Sequence, residues 1–429
     1  MKPGETAPED APAIMLPNLR HLRLLDVAIS ESSLTAAANK VHISQPAASQ
    51  AVAKLSEVFG ARLIERSGNN VTPTQEGDIV VKRARRALEH LRATGPGQKG
   101  RKPSDRALAG DMLVRYASTA QLRAISAFAT SGSFAAAARK LGQAESSVQR
   151  ACRDIERIVG QPLFEGGQRK RTLTVAGQRL AEQASLALNE ITLAQAELRE
   201  RAGVFDSHLV IGALPLARTQ LVPRAVVKLL ARHPAARIEI IDGAYDALVQ
   251  QMRLGACDFI IGALRGADLA KGLEERALFK DSLCIVARAG HPLAAGKGKV
   301  RGSDLARFPW ILPRRDAPAR HVFERLSAQH GLEDPARGHV ETGSLVVVRG
   351  LLMASDALTL ISLSQIEYEY TQGLLVPLDF PLEGAHRVIG ITSLRSALPN
   401  RLQRNFLGFL EESSARVTSH MAQGNAGWL

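Results

Sequence analysis

Arg150, Arg153 and Arg157 recur at a helical interval with Ser146 and Asp154, and Pro46, Gln50, Ala53, Lys54 and Glu57 hold the same places 100 residues earlier. Between them run apolar residues at i, i+4, i+7 and i+11: Ala48, Val52, Leu55 and Phe59, then Val148, Cys152, Ile155 and Val159. A helix with such a stripe buries it and leaves the opposite, polar face for a partner. Guanidinium and ammonium groups on that face attract anions, and side-chain amides both donate and accept hydrogen bonds. The chemistry on offer is recognition of an anionic surface rich in hydrogen-bonding groups.

Bond-making chemistry has no comparable signal. There is no GxSxG, no phosphate loop and no pair of carboxylates on identifiable strands. Cys152, Cys257 and Cys284 are scattered, without CxxC or a histidine cluster at ligand spacing, so neither a zinc site nor a disulfide framework is expected. The expectation is a cytoplasmic protein that is not an enzyme and holds neither metal nor cofactor. No apolar run approaches the roughly 18 to 20 residues that span a bilayer, so no membrane partner is expected.

Charge agrees with the arginine face. Of a net +13 on 429 residues, positions 18–201 hold 28 lysines and arginines against 17 carboxylates. A basic excess concentrated in one region favours phosphate backbone through counterion release.

The elements that must carry these faces occur twice. SSLTAAANK (Ser32 to Lys40) returns as GSFAAAARK (Gly132 to Lys140), and RLIERSGNNVTPTQEG (Arg62 to Gly77) as PLFEGGQRKRTLTVAG (Pro162 to Gly177). Each copy reads as three helices, a short strand, a polar hairpin tip, a return strand and a long helix, which is a winged helix-turn-helix order. Ser33 and Ser133 stand where a helix N-cap is needed.

A loose arm is expected over 1–17, the first winged helix with its long helix over 18–92, and a flexible Gly-, Pro- and Lys-rich tether over 93–117. The second winged helix follows over 118–173, and a linker or dimerisation helix over 174–203. The two long helices could instead pair within one chain.

From about residue 207 apolar strands alternate with amphipathic helices, which implies a doubly wound α/β domain over 204–416, in two lobes with a cleft between them. Lobe I is placed at about 204–287 and 388–416, lobe II at about 288–387, and a tail at 417–429. Ligands of such sheets sit at strand carboxyl ends, and helix N-termini there suit anions.

The first repeat resembles the DNA-binding domain of LysR-type transcriptional regulators. The resemblance rests on SQPAASQ (Ser44 to Gln50), then LxxxxGxxLxER from Leu55 to Arg66, then TxxG from Thr74 to Gly77. It continues through GALPLARTQLVPRAVVKLLARHPAARIEIIDG and RLGACDFIIGAL, which look like the first lobe of that family's effector domain, and CIVARAGHPLA marks the crossover to the second. The family normally carries one winged helix, and this chain has two.

The resemblance implies a fold of two α-rich winged helix-turn-helix domains, a linker helix and a two-lobed periplasmic-binding-protein-like domain. It implies that Ser44, Gln45, Pro46, Ser49 and Gln50 lie near base edges of double-stranded promoter DNA, with Lys54 and Arg66 on phosphates. The second copy departs from the pattern: SQPA has become Ala144-Glu145-Ser146-Ser147 and the wing arginine is Gly166, yet Arg150 and Arg153 remain available for phosphates. In the effector domain, strand ends and the match point to Leu216, Arg218, Thr219, Thr342, Ser344 and Ser362 as effector contacts. A capping or surface role competes at each. The small-molecule effector implied is an organic acid or a sugar, and the implied partners are further copies in a homodimer or homotetramer, and RNA polymerase.

Two other functions remain open at this point. One is a ligand-binding protein or enzyme whose helical repeats serve only oligomerisation. The other is an architectural DNA-binding protein without an effector.

Overall fold

The computed structural model describes residues 16–68, 70–94, 103–167, 171–204, 207–266, 272–295, 299–315, 317–332 and 339–424, with side chains except at 103–107 and 416–424. The expected arm up to residue 15, residues 95–102 of the expected tether, Arg169 and Lys170 of the second wing, and the last five residues lie outside that set. The chain divides into two compact units, the first comprising Met1–Asp206 with Arg253–Gly255 and the second Ser207–Met252 with Ala256–Leu429.

In the first unit both repeats fold in one order. The first comprises α1 (Leu19–Ser30), α2 (Leu34–Val41), α3 (Gln45–Phe59), the hairpin β1 (Ile64–Ser67) and β2 (Asn70–Pro73), and α4 (Gln75–Arg92). After α5 (Pro103–Tyr116) come α6 (Thr119–Ser131), α7 (Phe134–Leu141), α8 (Glu145–Val159), the hairpin β3 (Phe164–Glu165) and β4 (Thr172–Leu173), and α9 (Val175–Arg201). Ser33 and Ser133 cap α2 and α7, accepting from Ala36 N at 3.3 Å and Ala136 N at 3.2 Å. The apolar stripes are buried as the spacing requires, with Ala51 added in α3.

The shared TxxG has a mechanical reason. Thr74 Oγ1 donates to Arg62 O (2.6 Å) and accepts from Gly77 N (2.9 Å), which ties the hairpin entrance to the first turn of α4. Thr174 and Gly177 repeat the latch with Pro162 O (3.0 Å and 3.0 Å).

The flexible tether expected over 93–117 is corrected: from Pro103 to Tyr116 it is helix, and Leu113, Val114 and Ala117 are buried. Its Gly110 lies so close to Arg92 that a Cβ there would sit 2.5 Å from the Arg92 carbonyl oxygen. One hydrophobic core runs through both repeats, from Leu19 to Leu198. The repeats are therefore halves of one packed body, because α5 and the inner faces of α4 and α9 supply the apolar surface that joins them.

α4 and α9 pack against each other, and polar groups sit inside the seam. Arg83, 2% exposed, donates Nη1 to Glu190 Oε2 (2.8 Å) and Nε to Glu197 Oε1 (3.0 Å). Arg86 Nε donates to Glu190 Oε1 (2.8 Å), and His90 Nδ1 lies 3.1 Å from Gln183 Oε1. Burial holds the His90 imidazole below its usual range. At the outer end Arg201 reaches Glu76 Oε1 (3.2 Å) and Gln75 Oε1 (2.5 Å), so the helices run antiparallel. The helix predicted to serve dimerisation thus has its seam filled from within the chain.

The second unit holds β5 (His208–Ala213), α10 (Leu221–Arg232), β6 (Arg237–Ile241), α11 (Tyr245–Arg253), β7 (Phe259–Ala263), β8 (Leu273–Arg288), α12 (Pro292–Ala295) and α13 (Gly302–Leu305). β9 (Trp310–Leu312), α14 (Pro318–His330), β10 (Val340–Glu341), α15 (Leu345–Ala354), β11 (Leu358–Ser362), α16 (Glu367–Thr371), β12 (Leu375–Pro377), β13 (His386–Leu394) and α17 (Arg401–Gly424) follow. The strand order is β10-β9-β11-β8-β13-β7-β5-β6, with β12 also on β8.

β5, β6 and β7 are parallel, while β13 and the first part of β8 close that lobe antiparallel. From Leu283 on, β8 instead pairs with β11, whose neighbour β9 is parallel. The lobe I boundary expected at 287 therefore moves back to about Ser282. Each lobe buries apolar clusters on both faces of its strands, the α10–α17 and α11 sides in one, the α14 and α15 sides in the other. The expected tail begins inside α17, which runs on to Gly424.

Candidate nucleic-acid interface and ligand cleft

At the N-terminus of α3, Ser44 is the N-cap and accepts from Ala47 N at 3.4 Å, and Pro46 sits in the first turn, where a missing N–H costs nothing. Gln45, Pro46, Gln50 and Lys54 are exposed and Ser49 is half-buried. The hairpin brings Arg66 beside them, its Nη2 donating to Ser49 Oγ at 3.4 Å. Seven residues proposed from the sequence thus form one continuous patch. Helix dipole and free N–H groups at this end add a positive field.

α8 presents a different surface. Its N-cap, Ala144, makes no side-chain cap bond, and Glu145 instead accepts from Gln149 Nε2 at 3.0 Å. Arg150 and Arg153 are exposed on the outward face, while Arg157 is paired with Asp154 at 2.7 Å. Cations here sit along the helix body and a carboxylate sits at its tip, where α3 has only uncharged Ser44, Gln45 and Pro46.

Between the lobes of the second unit lies a cleft of about 940 Å³, its open mouth included. Leu216 and Thr342 line it, as the sequence proposed. Arg218 does not, being paired with Asp242 Oδ2 at 2.9 Å, and Thr219 donates to Leu216 O at 2.8 Å. Ser344 is spent as the N-cap of α15, accepting from Val347 N at 3.4 Å, although its neighbours Gly343 and Leu345 face the cleft.

Ser362 is corrected outright. It is fully buried, and its hydroxyl donates to Asp281 Oδ1 at 2.5 Å. Asp281 in turn accepts from Arg387 Nε at 2.7 Å, and Arg387 Nη2 reaches Gln365 Oε1 at 3.3 Å. Ser362 therefore supports from below a guanidinium that does line the cleft.

Three arginines, Arg265, Arg314 and Arg387, line that space, and among the described residues no carboxylate does. Arg265 lies 4.9 Å over the Tyr245 ring. The sequence reading missed all three. Arg265 and Arg314 each lie two residues past the ends of β7 and β9, so the strand-end rule reaches them; Arg387 is inside β13 and carries no such signal.

Burial pushes the thiols of Cys152, Cys257 and Cys284 up to about 12, which keeps them protonated at neutral pH. No group of potential metal ligands occurs among the described residues. No helix among them is long and apolar enough to cross a membrane.

Comparison with known proteins adds two family descriptions, one of which matches the chain twice. Residues 202–415 match the LysR substrate binding domain, and residues 19–78 and 119–178 each match the bacterial regulatory helix-turn-helix protein of the lysR family. The transcriptional regulator GalR of Pseudomonas putida is 31% identical over 383 residues, 88% of this chain and 92% of its own length.

Among solved structures, a full-length OxyR variant from Pseudomonas aeruginosa aligns at a TM-score of 0.52 and 20% identity, covering 69% of this chain and 94% of that one. Full-length LysG of Corynebacterium glutamicum with bound effector arginine aligns at 0.51 and 18%, covering 70% and 98%. Both share the fold, and each alignment leaves about three tenths of the present chain uncovered.

Proposed function

The chain belongs to the LysR family of DNA-binding transcriptional regulators with an effector-binding domain, and from that premise we propose that its two repeats are tandem winged helix-turn-helix heads with unequal tasks. The observation that carries this reading is the contrast between the α3 and α8 faces.

Ser44, Gln45, Pro46, Ser49 and Gln50 read base edges in the major groove, and Lys54 and Arg66 hold phosphates. Arg150 and Arg153 of the second head grip phosphates with little sequence preference, since guanidinia along a helix body meet backbone and Glu145 repels it at the tip. Relatives are named as transcriptional regulators, not as enzymes. The protein works in the cytoplasm on promoter DNA, as a homodimer or homotetramer, with RNA polymerase as a further partner.

Mobility shifts on operator and random duplexes over a range of salt test the division of tasks. Replacing Gln50 with alanine should weaken operator binding roughly 10-fold, the effect of about 1.4 kcal/mol, and leave the salt slope intact. Replacing Arg150 and Arg153 with alanine should weaken operator and random DNA alike and reduce the slope by about 2. Identical profiles for the two variants would remove the division.

The effector is an organic acid. Three cleft arginines without a lining carboxylate, one of them (Arg387) held from behind by Asp281, favour an anion over a neutral sugar, because a guanidinium can bind a carboxylate bidentately. Closure on the ligand shifts the population of oligomer arrangements and so the spacing of DNA-bound heads.

In thermal-shift measurements on the full chain, small mono- and dicarboxylates should raise the effector-domain transition, by about 2.7 kcal/mol of stabilisation at 100 times Kd. The Arg314→Gln variant should lose that response. Stabilisation by neutral sugars alone would overturn the assignment.

A further inference from the structure

We infer that the α4–α9 seam is coded so that α4 pairs only with α9, and that one chain therefore presents DNA with a fixed pair of unlike heads, its partner being an asymmetric duplex site of two dissimilar halves.

The repeats are offset by 100 residues, and the seam contacts respect that offset. Arg83 meets Glu190, and His90 meets Gln183. Position 83 with 190 and position 90 with 183 are exchanged when the two copies swap places. The seam is thus a pseudo-twofold contact, the geometry two identical helices would adopt in a symmetric pair.

The side chains forbid the symmetric versions. In the same geometry, α4 against a second α4 would set Arg83 and Arg86 against His90 on both sides, with no carboxylate to meet them. α9 against a second α9 would set Glu190 against Gln183 and Leu186, and strand two carboxylates inside the contact. Arg83 and Glu190 are both almost fully buried where they now sit, so either mismatch would leave uncompensated charge out of water. Only the unlike pairing satisfies both helices.

Closure within one chain follows from α5. That helix packs against α1, α4 and α8, hence on both repeats, and brings Gly110 onto the Arg92 backbone. Thr119 Oγ1, at the start of α6, donates to Pro17 O at 2.7 Å, which fastens the second repeat to the start of the first. One continuous core encloses the result.

The two outward helices are then unlike by construction: hydroxyls and amides with Lys54 on α3, arginines with Glu145 on α8. A rigid pair of unlike readers matches a site without internal twofold symmetry. This last step rests on the reading of both helices as DNA-facing, whereas the seam can be tested without DNA.

The test uses the full chain with Gln75→Cys and Arg201→Cys, an exposed pair at the outer end of the seam that leaves Arg83, Glu190 and Glu197 intact. Treated with a short bis-maleimide at falling protein concentration, it should give a bridged species of single-chain mass whose yield does not depend on dilution. Bridged dimers that vanish on dilution, or no bridge at all, would overturn the pairing.

Selection of bound sites from random duplexes then reads the DNA half of the inference. Wild type should enrich a non-palindromic site, one half of which loses its preference in Gln50→Ala, while Arg150→Ala/Arg153→Ala lowers affinity through the other, weakly specified half and leaves the selected sequence unchanged. A palindrome covered by a single chain, with both halves dependent on Gln50, would overturn it even with a single-chain bridge. A single-chain bridge with no enriched site would leave the pairing standing and sink the reading of the heads.

Discussion

Replacing Arg83 with methionine should lower the stability of the helical unit by about 3 to 5 kcal/mol, the cost of removing one partner from a buried ionic cluster. Methionine fills much of the same volume, so the loss comes from charge and not from a cavity. Glu190 would keep Arg86, but Glu197 would lose both donations from Arg83, and the seam would hold two carboxylates against one guanidinium.

For a unit of this size such a loss lowers the melting midpoint by on the order of 10 °C. The two tryptophans, Trp310 and Trp428, both come after the helical unit in the chain, so the two transitions can be read separately. The helical signal in circular dichroism should shift while the tryptophan fluorescence transition stays in place. Adding Glu190→Gln and Glu197→Gln to Arg83→Met should recover part of the loss, since the stranded charges are then gone. Strict additivity of the three changes would show that the groups are not coupled in a common buried contact.

Gly77→Ala should be nearly as damaging and should also abolish operator binding. A Cβ at that position would lie 1.9 Å from the Leu63 carbonyl oxygen and 2.9 Å from its carbon, so backbone would have to move. Leu63 begins the hairpin, and Arg66 is three residues on. Displacing that strand removes Arg66 from Ser49 and loosens the Thr74 latch together. The expected cost is above about 2 kcal/mol, in the range of mutations that force a core element aside.

Gly177→Ala meets Leu163 O at 2.1 Å and should destabilise to the same degree, with a smaller effect on sequence preference. Gly60→Ala provides the contrast: its neighbourhood is open but its φ is +65°, so the cost should be only about 1 kcal/mol of backbone strain. Equal melting curves and operator affinities for Gly60→Ala and Gly77→Ala would refute the collision at Leu63.

The two glycines illustrate which features the sequence carries. TxxG repeats at Thr74 and Thr174 because a cap, a hairpin entrance and a tight helix approach all depend on nearby residues. The stripes of α3 and α8, the caps at Ser33 and Ser133, and most strands of the second unit were readable for the same reason. The first half of β8 and the whole of α17 were not anticipated. α17 buries Leu402, Phe406 and Leu410, but nothing in its own pattern says which layer it covers.

At the candidate sites the boundary falls in the same place. Ser44 to Gln50 lie on one helix turn after another, so spacing alone grouped them, and only Arg66 had to be brought in by the hairpin. The cleft is assembled from strand ends far apart in the chain. Arg218 and Ser362 looked equally available in the sequence; Asp242 takes the first, and the second is sealed beneath Arg387 with Asp281.

By itself the sequence determined the duplicated helical frame, the two polar faces, the α/β character of the second half and the membership that the TxxG and SQPA patterns imply. Only the tertiary structure decided that residues 103–116 are helix, that the two repeats share a core, and that Arg83 is answered by Glu190 and Glu197. It likewise decided that three arginines face one cleft. Periodicity records which face of an element avoids water, because that is set by neighbours within a few turns. It does not record what covers that face, since burial of charge and apolar surface is settled between segments about a hundred residues apart.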